Sequence, residues 1–307
     1  MNVKIARQRT IAEREHRTIK LGDHTHSQIE KEIESTYLSK ELLRLGLSVG
    51  NQDETSEFKD DTTEYRKFVE KLMDVDLSNV TVAHVPGDFS KNEGRAYPCG
   101  RDQHVVIMPL EGEGFLSPDL LVHELGHTAE FTLRRQNDDV SKFINHGILN
   151  ETIAHFCQYS YLKEFGTRIE RISALNSVIP MYMMLKARIA TKEMRVEPNV
   201  VQTERIVEHK EFADFRKVYT TLGLKKSLIA YEGYSLFESY HSKIAPRFGS
   251  VLALRLLNDT SGIKKLCVAP TDRPVRQILN ELKLNANKLL DFSKADELFK
   301  KFIEGTL

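Results

Sequence analysis

The segment His123-Glu124-Leu125-Gly126-His127 sets two imidazoles four residues apart with a carboxylate beside the first. On a helix, four residues turn through about 400°, so both rings leave one face a turn apart and can grip one ion. Glu124 lies about 100° round from His123, outside the ligand set but beside an open coordination position. The chemistry this arrangement serves is a zinc ion that activates water, with Glu124 taking the water's proton as general base, as in metal-dependent peptide hydrolysis. A surface helix carrying these three residues by chance is the competing reading. Leu120, Leu121, Val122 and Leu125 surround the motif, so the helix is expected to be buried, where a His-Glu-His cluster needs partners.

A catalytic zinc needs a third protein ligand and leaves its fourth place to water. The longer pattern H-E-x-x-H-x-x-G-x-x-H is excluded, because Glu130 and Leu133 stand in its Gly and His places. Asn150-Glu151-Thr152-Ile153-Ala154-His155 opens a new helix after Gly147, and that gap lets the chain turn and lay a second helix against the first. Glu151 leads as third ligand. His155, one turn along on the same face, is an alternative ligand or a residue that orients one. Glu130 is expected to make a contact behind the ligands or an ion pair, and His146 reads as a loop histidine.

These residues need elements to hold them. Ser117-Pro118-Asp119 begins a helix with an N-cap, a proline at the first helical position and an acid at the positive end of the dipole. The active-site helices are expected over about 117–135 and 148–165. Upstream, Val80–Val85 alternates like a strand, and a Gly-containing loop leads to a second strand at His104–Met108. The exposed edge of that strand, at Val105, Val106 and Ile107, is expected to pair with an extended substrate. Further helices are expected over residues 1–20, from Ser27 to Leu45 and from Thr63 to Met73, with a polar, acidic linker at Ser48–Thr62. From residue 117 onward nearly everything reads as helix.

The order Gly94-Arg95-Ala96-Tyr97…Gly100, then Val105 to Pro109, then Leu116 to Leu121 and the His-Glu-Leu-Gly-His motif, resembles the thimet oligopeptidase and oligoendopeptidase F family of zinc peptidases. The resemblance covers about residues 94–160, with a fainter echo near 228–256. It implies a zincin-like catalytic domain, Zn2+ as cofactor, Glu151 as the glutamate ligand and a peptide or protein substrate. Tyr231-Glu232-Gly233-Tyr234-Ser235-Leu236-Phe237 is similar to the family's Tyr- and Gly-rich stretch that contacts the substrate carbonyl. That likeness implies Tyr234 as donor to the oxyanion, with Tyr231 and His241 as alternatives and aromatic packing as the bland reading. Glu130 stands where the family commonly has His. Family members are also generally much longer, so a more open groove, admitting a protein segment, is expected here.

The fold expected is mainly α with a small β-sheet: an N-terminal helical region over 1–75 and a zincin-like metallopeptidase domain over 76–307, or both as one compact unit. Lys plus Arg and Asp plus Glu number 44 each in 307 residues, so the formal net charge is zero and gives no support to a nucleic-acid partner. No apolar stretch is long enough to span a bilayer, and the N-terminus lacks a signal-peptide core. Cys99, Cys157 and Cys267 are far apart and read as reduced thiols. The expected location is the cytoplasm, or outside it, including a host cell, by export without a cleavable signal. A compact regulatory protease of the repressor-cleaving type is an alternative, since Glu151, Ala154 and His155-Phe156 approach its helix pattern. A secreted bacterial effector protease and a non-catalytic zinc-binding interaction protein are further readings. Oligomeric state has no signature in the sequence.

Overall fold

The computed structural model describes residues 27–49, 61–90, 93–114, 116–136, 147–195, 203–223, 244–270 and 273–307. The helix expected over residues 1–20, His146, Tyr231, Tyr234 and His241 lie outside the described residues.

The principal helices are α1 (Lys40–Val49), α2 (Thr63–Met73), α3 (Pro118–Arg135), α4 (Gly147–Glu164), α5 (Ile179–Met194), α6 (Ala213–Thr221), α7 (Gly249–Arg255), α8 (Thr260–Cys267) and α9 (Ala295–Ile303). Three strands, β1 (Thr81–Val85), β2 (Arg95–Tyr97) and β3 (Val105–Pro109), form one sheet in the order β1-β3-β2. The chain is thus mainly helical with a small sheet. The expected helix from Ser27 to Leu45 is instead two pieces, a short one ending at Glu34 and then α1. Ser35 and Thr36 cause the break: their hydroxyls donate to Glu32 O and Ile33 O at 2.6 Å each, taking carbonyls that a continuing helix would use.

β3 pairs on both sides. Thr81 to Val85 of β1 run parallel to Val105 to Pro109, while Arg95, Ala96 and Tyr97 of β2 run antiparallel opposite Ile107, Val106 and Val105. Val105, Val106 and Ile107 are therefore not an edge, and the expectation that a substrate pairs with them is corrected. The physical sign was the unbroken apolar run, which marks a strand buried on both faces. Val106 and Met108 face the main core, whereas Val105 and Ile107 meet Val85 and Cys99 in a second, smaller cluster. The outer strands are β1 and β2, and β2 reads as loop in the sequence because it is only three residues long.

One apolar core runs from Ile29 and Leu42 through Val69, Leu125, Phe156 and Leu252 to Phe302. α3 and α4 lie side by side at its centre, α2 covers α3, and α7 crosses α4. Cys99, Cys157 and Cys267 are all buried. No helix among the described residues is long and apolar enough to cross a membrane.

Candidate active site

α3 starts where Ser117 caps it, accepting from the Leu120 N–H, with Pro118 at the first turn. Its length is set by burial: every residue from Leu121 to Thr132 is buried, so the His-Glu-His triplet points into the protein rather than at solvent. α4 begins at Gly147 and brings Glu151 to the same point. His123 Nε2 stands 3.7 Å from Glu151 Oε2, and His127 Nε2 stands 3.9 Å from Glu151 Oε1. The donor atoms of the three residues all lie within 4.8 Å of one another.

Those separations are too long for hydrogen bonds. They suit a shared ion, since donors about 2.1 Å from a tetrahedral centre stand about 3.4 Å apart. Protonation also favours it. Burial pushes the His123 imidazole far below its ordinary pKa, helped by the neighbouring His155, His127 and Arg247. Burial likewise lowers His127 against the pull of Glu151 and Glu130. Both rings are therefore neutral, as a ligand must be. Burial alone would raise Glu151, but the Arg247 guanidinium beside it leads in holding it low, so it is an anion. The set of two imidazoles and one carboxylate fits zinc.

The His123 ring is oriented from behind. Its Nδ1 contacts Gln158 Oε1 at 3.3 Å, and the same oxygen meets His155 Nδ1 at 2.9 Å. An amide oxygen only accepts, so both Nδ1 atoms carry the proton and both Nε2 atoms keep a lone pair. Gln158 is held in turn, donating to Asp119 Oδ2 at 2.7 Å, and Asp119 accepts from Ser117 Oγ at 2.6 Å. His155 Nε2 lies 3.7 Å from Glu151 Oε2 but falls outside the group of mutually close donors, so the residue sits behind the glutamate. His127 stacks on Phe131, with centroids 6.2 Å apart and planes at 13°.

Glu124 is buried, and its carboxyl is pushed up to about 8, first by that burial and then by Glu151, while Arg247 and the Ala96 N–H oppose the rise. Glu124 thus lies against β2, whose Ala96 N–H acts on its carboxyl. Gly94 brings the backbone close: a Cβ there would come 2.9 Å from Glu124 Cγ.

Glu130 pairs with Arg134 at 2.7 Å and accepts from Asn150, while Arg134 also donates to Ala269 O at 2.8 Å. It thus ties α3 to α4 and to the end of α8 rather than reaching the site.

Three participants escaped the sequence reading. Gln158 was recoverable, since it lies seven residues after Glu151 and three after His155 on one face of α4. Asp119 was read only as a dipole partner. Arg247, whose Nη1 lies 3.2 Å from Glu151 Oε2, is separated from it by 96 residues and has no local signature.

No protein-family model and no curated protein matches the sequence. The structure is similar to a crystal structure of a protein from Bacillus anthracis str. Ames assigned as an oligoendopeptidase F, with a TM-score of 0.52 and 11% sequence identity. The match covers 94% of this chain and 58% of that one, so this chain spans well under two thirds of its length. The likeness shows a shared fold, mainly helical with a small sheet.

Proposed function

We propose that this chain is a zinc-dependent endopeptidase whose substrate is a peptide or an exposed protein segment. The observation that carries the reading is the convergence of His123, His127 and Glu151 on one point, with Glu124 buried at the next position of α3 and feeling the Glu151 charge. Zinc held by the three residues would polarise the scissile carbonyl and lower the pKa of water.

The chain's own residues divide the remaining work. Gln158 keeps the His123 lone pair on Nε2, and the stacked Phe131 fixes the His127 ring. Glu124 takes a proton from the attacking water as its oxygen bonds to the carbonyl carbon and the π pair moves to the carbonyl oxygen. It then passes that proton to the amide nitrogen as the C–N bond breaks, so the carboxyl is regenerated in its starting form. Burial and the Glu151 charge both raise the affinity of the Glu124 carboxylate for a proton, which suits it to act as a base.

An extended substrate would lie along Arg95, Ala96 and Tyr97, adding a strand to the outer edge of β2, the strand that lies against Glu124. The repressor-cleaving and effector readings share this chemistry and differ from it in substrate alone. Tyr234, with Tyr231 and His241 as alternatives, remains the proposed tyrosine or histidine donor on the strength of the family resemblance.

The test is cleavage of a mixed peptide library by zinc-loaded wild type and by Glu124→Gln, with fragments identified by mass spectrometry. Wild type should generate new termini, and the variant should lose at least about 100-fold in rate while retaining zinc. A variant that cuts as well as wild type removes Glu124 from the mechanism.

A further inference from the structure

The cleft places an arginine beside three carboxylates. Arg247 ends a short helical turn, Ala245–Arg247, and its charge acts on Glu151, Glu93 and Glu124. Its placement follows from Gly249, at the start of α7. A Cβ at Gly249 would come 2.5 Å from Ile148 O and 2.7 Å from Thr152 N, so only glycine lets this backbone rest on the turn of α4 that carries Glu151. Arg247, two residues earlier, is delivered to the ligand carboxylate.

Arg247 does not spend its guanidinium on that contact. Among the described residues its hydrogen-bond partner is Glu151 alone, through Nη1, and the side chain keeps 33% of its surface exposed. A guanidinium offers a planar fork of N–H groups, so the rest of the fork is left for another acceptor.

Resting on the peptidase reading, we propose that Arg247 stabilises the oxyanion that develops on the scissile carbonyl. The carbonyl under attack must lie next to the three ligand side chains and Glu124, and Arg247 touches one of those ligands. When the water oxygen bonds to the carbonyl carbon, the π pair moves onto the carbonyl oxygen, and the free arm of the fork donates to it. The donor is fixed by Gly249 and Glu151 before substrate arrives, the condition under which such a group favours the transition state over the ground state. A substrate's terminal carboxylate is the competing acceptor, and it would be recognised in the ground state instead.

The experiment compares wild type, Arg247→Gln and Arg247→Lys on a mixed-sequence quenched-fluorescent peptide set. It is combined with zinc affinity from competition with a chelating dye and with melting curves for folding. The proposal predicts that R247Q loses about 100- to 1000-fold in kcat, with KM within about threefold and zinc affinity within about tenfold of wild type. R247K, which keeps the charge but not the fork, should fall between the two. A raised KM at unchanged kcat would assign Arg247 to a substrate carboxylate and overturn the proposal. So would a fall in zinc affinity that accounts for the whole loss, which would make it a positioning residue for Glu151. If R247Q fails to fold, R247K carries the test: full activity in that variant also overturns the proposal. Wild type that binds zinc and cuts no peptide rejects the peptidase reading and this proposal with it. That result differs from the case in which wild type and R247Q cut equally, where only the role of Arg247 fails.

Discussion

Changing Glu130 to Gln keeps the shape of a buried side chain and removes its charge. Glu130 is 1% exposed and Arg134 3% exposed, and the two meet at 2.7 Å one helical turn apart on α3. In Glu130→Gln the guanidinium keeps its bonds to Ala269 O at 2.8 Å and Leu266 O at 3.4 Å but loses its counter-charge. The new amide must also turn its oxygen toward Arg134, which only donates, and Asn150 must turn over to accept from its NH2. Breaking a buried pair from one side costs about 3–5 kcal/mol. At about 2–4 °C per kcal/mol in a chain of this size, the midpoint of thermal unfolding should fall by roughly 6–20 °C. Glu297 and Lys301 provide the comparison, since they meet at the same 2.7 Å and the same helical spacing on α9 but are about half exposed. Glu297→Gln should cost far less because solvent screens the pair. Urea unfolding at pH 7, followed by circular dichroism, measures both. If Glu130→Gln costs no more than Glu297→Gln, burial is not what gives the inner pair its weight, and the reasoning fails.

Three further outcomes are expected. His104 accepts from the Cys99 N–H at 3.0 Å, and burial, aided by Arg135, lowers its pKa to about 3. A depressed folded pKa means that the associated stability is full above the unfolded value near 6.5 and is lost as pH falls toward 3, at about 1.4 kcal/mol per pH unit. His104→Gln should reduce that slope by about one proton in urea titrations at pH 7 and pH 4.5, and equal slopes would contradict it. Gln158→Leu removes the acceptor shared by His123 and His155 and should weaken zinc binding about 10- to 100-fold by dye competition; unchanged affinity would show that the amide does not orient the ligand. Gly94→Ala drives a methyl toward Glu124 Cγ and Met108 Sδ, at 2.9 and 3.0 Å, and should cut peptidase rate at least about tenfold with zinc retained. Wild-type rates would mean that Glu124 tolerates displacement.

What could be read from the sequence was what is local. The capped start at Ser117, the helical spacing of His123 and His127, and the helix that carries Glu151 all depend on neighbours within a few turns, and the structure shows both helices within a residue or two of the expected limits. The mainly helical architecture with a small sheet was legible for the same reason. β2 was missed because three residues carry too little periodicity, and its partner β3 was mistaken for an edge because which strand lies outermost is a property of pairing, not of one segment. Arg247 and the carbonyls of Leu266 and Ala269 reach α4 and α3 from 96 to 135 residues away, across the break at Pro246, where no spacing rule applies. Asp119 did carry a signal, but the dipole explanation was sufficient on its own and hid the bond to Gln158.

The central claim is that His123, His127 and Glu151 hold one zinc ion. Native mass spectrometry of the metal-free chain titrated with zinc, run beside Glu151→Gln, tests it most directly. The account predicts one zinc per wild-type chain and an affinity at least about 100-fold lower in the variant, because a neutral amide replaces the anionic ligand. Zinc bound equally well by both proteins, or by neither, would contradict it.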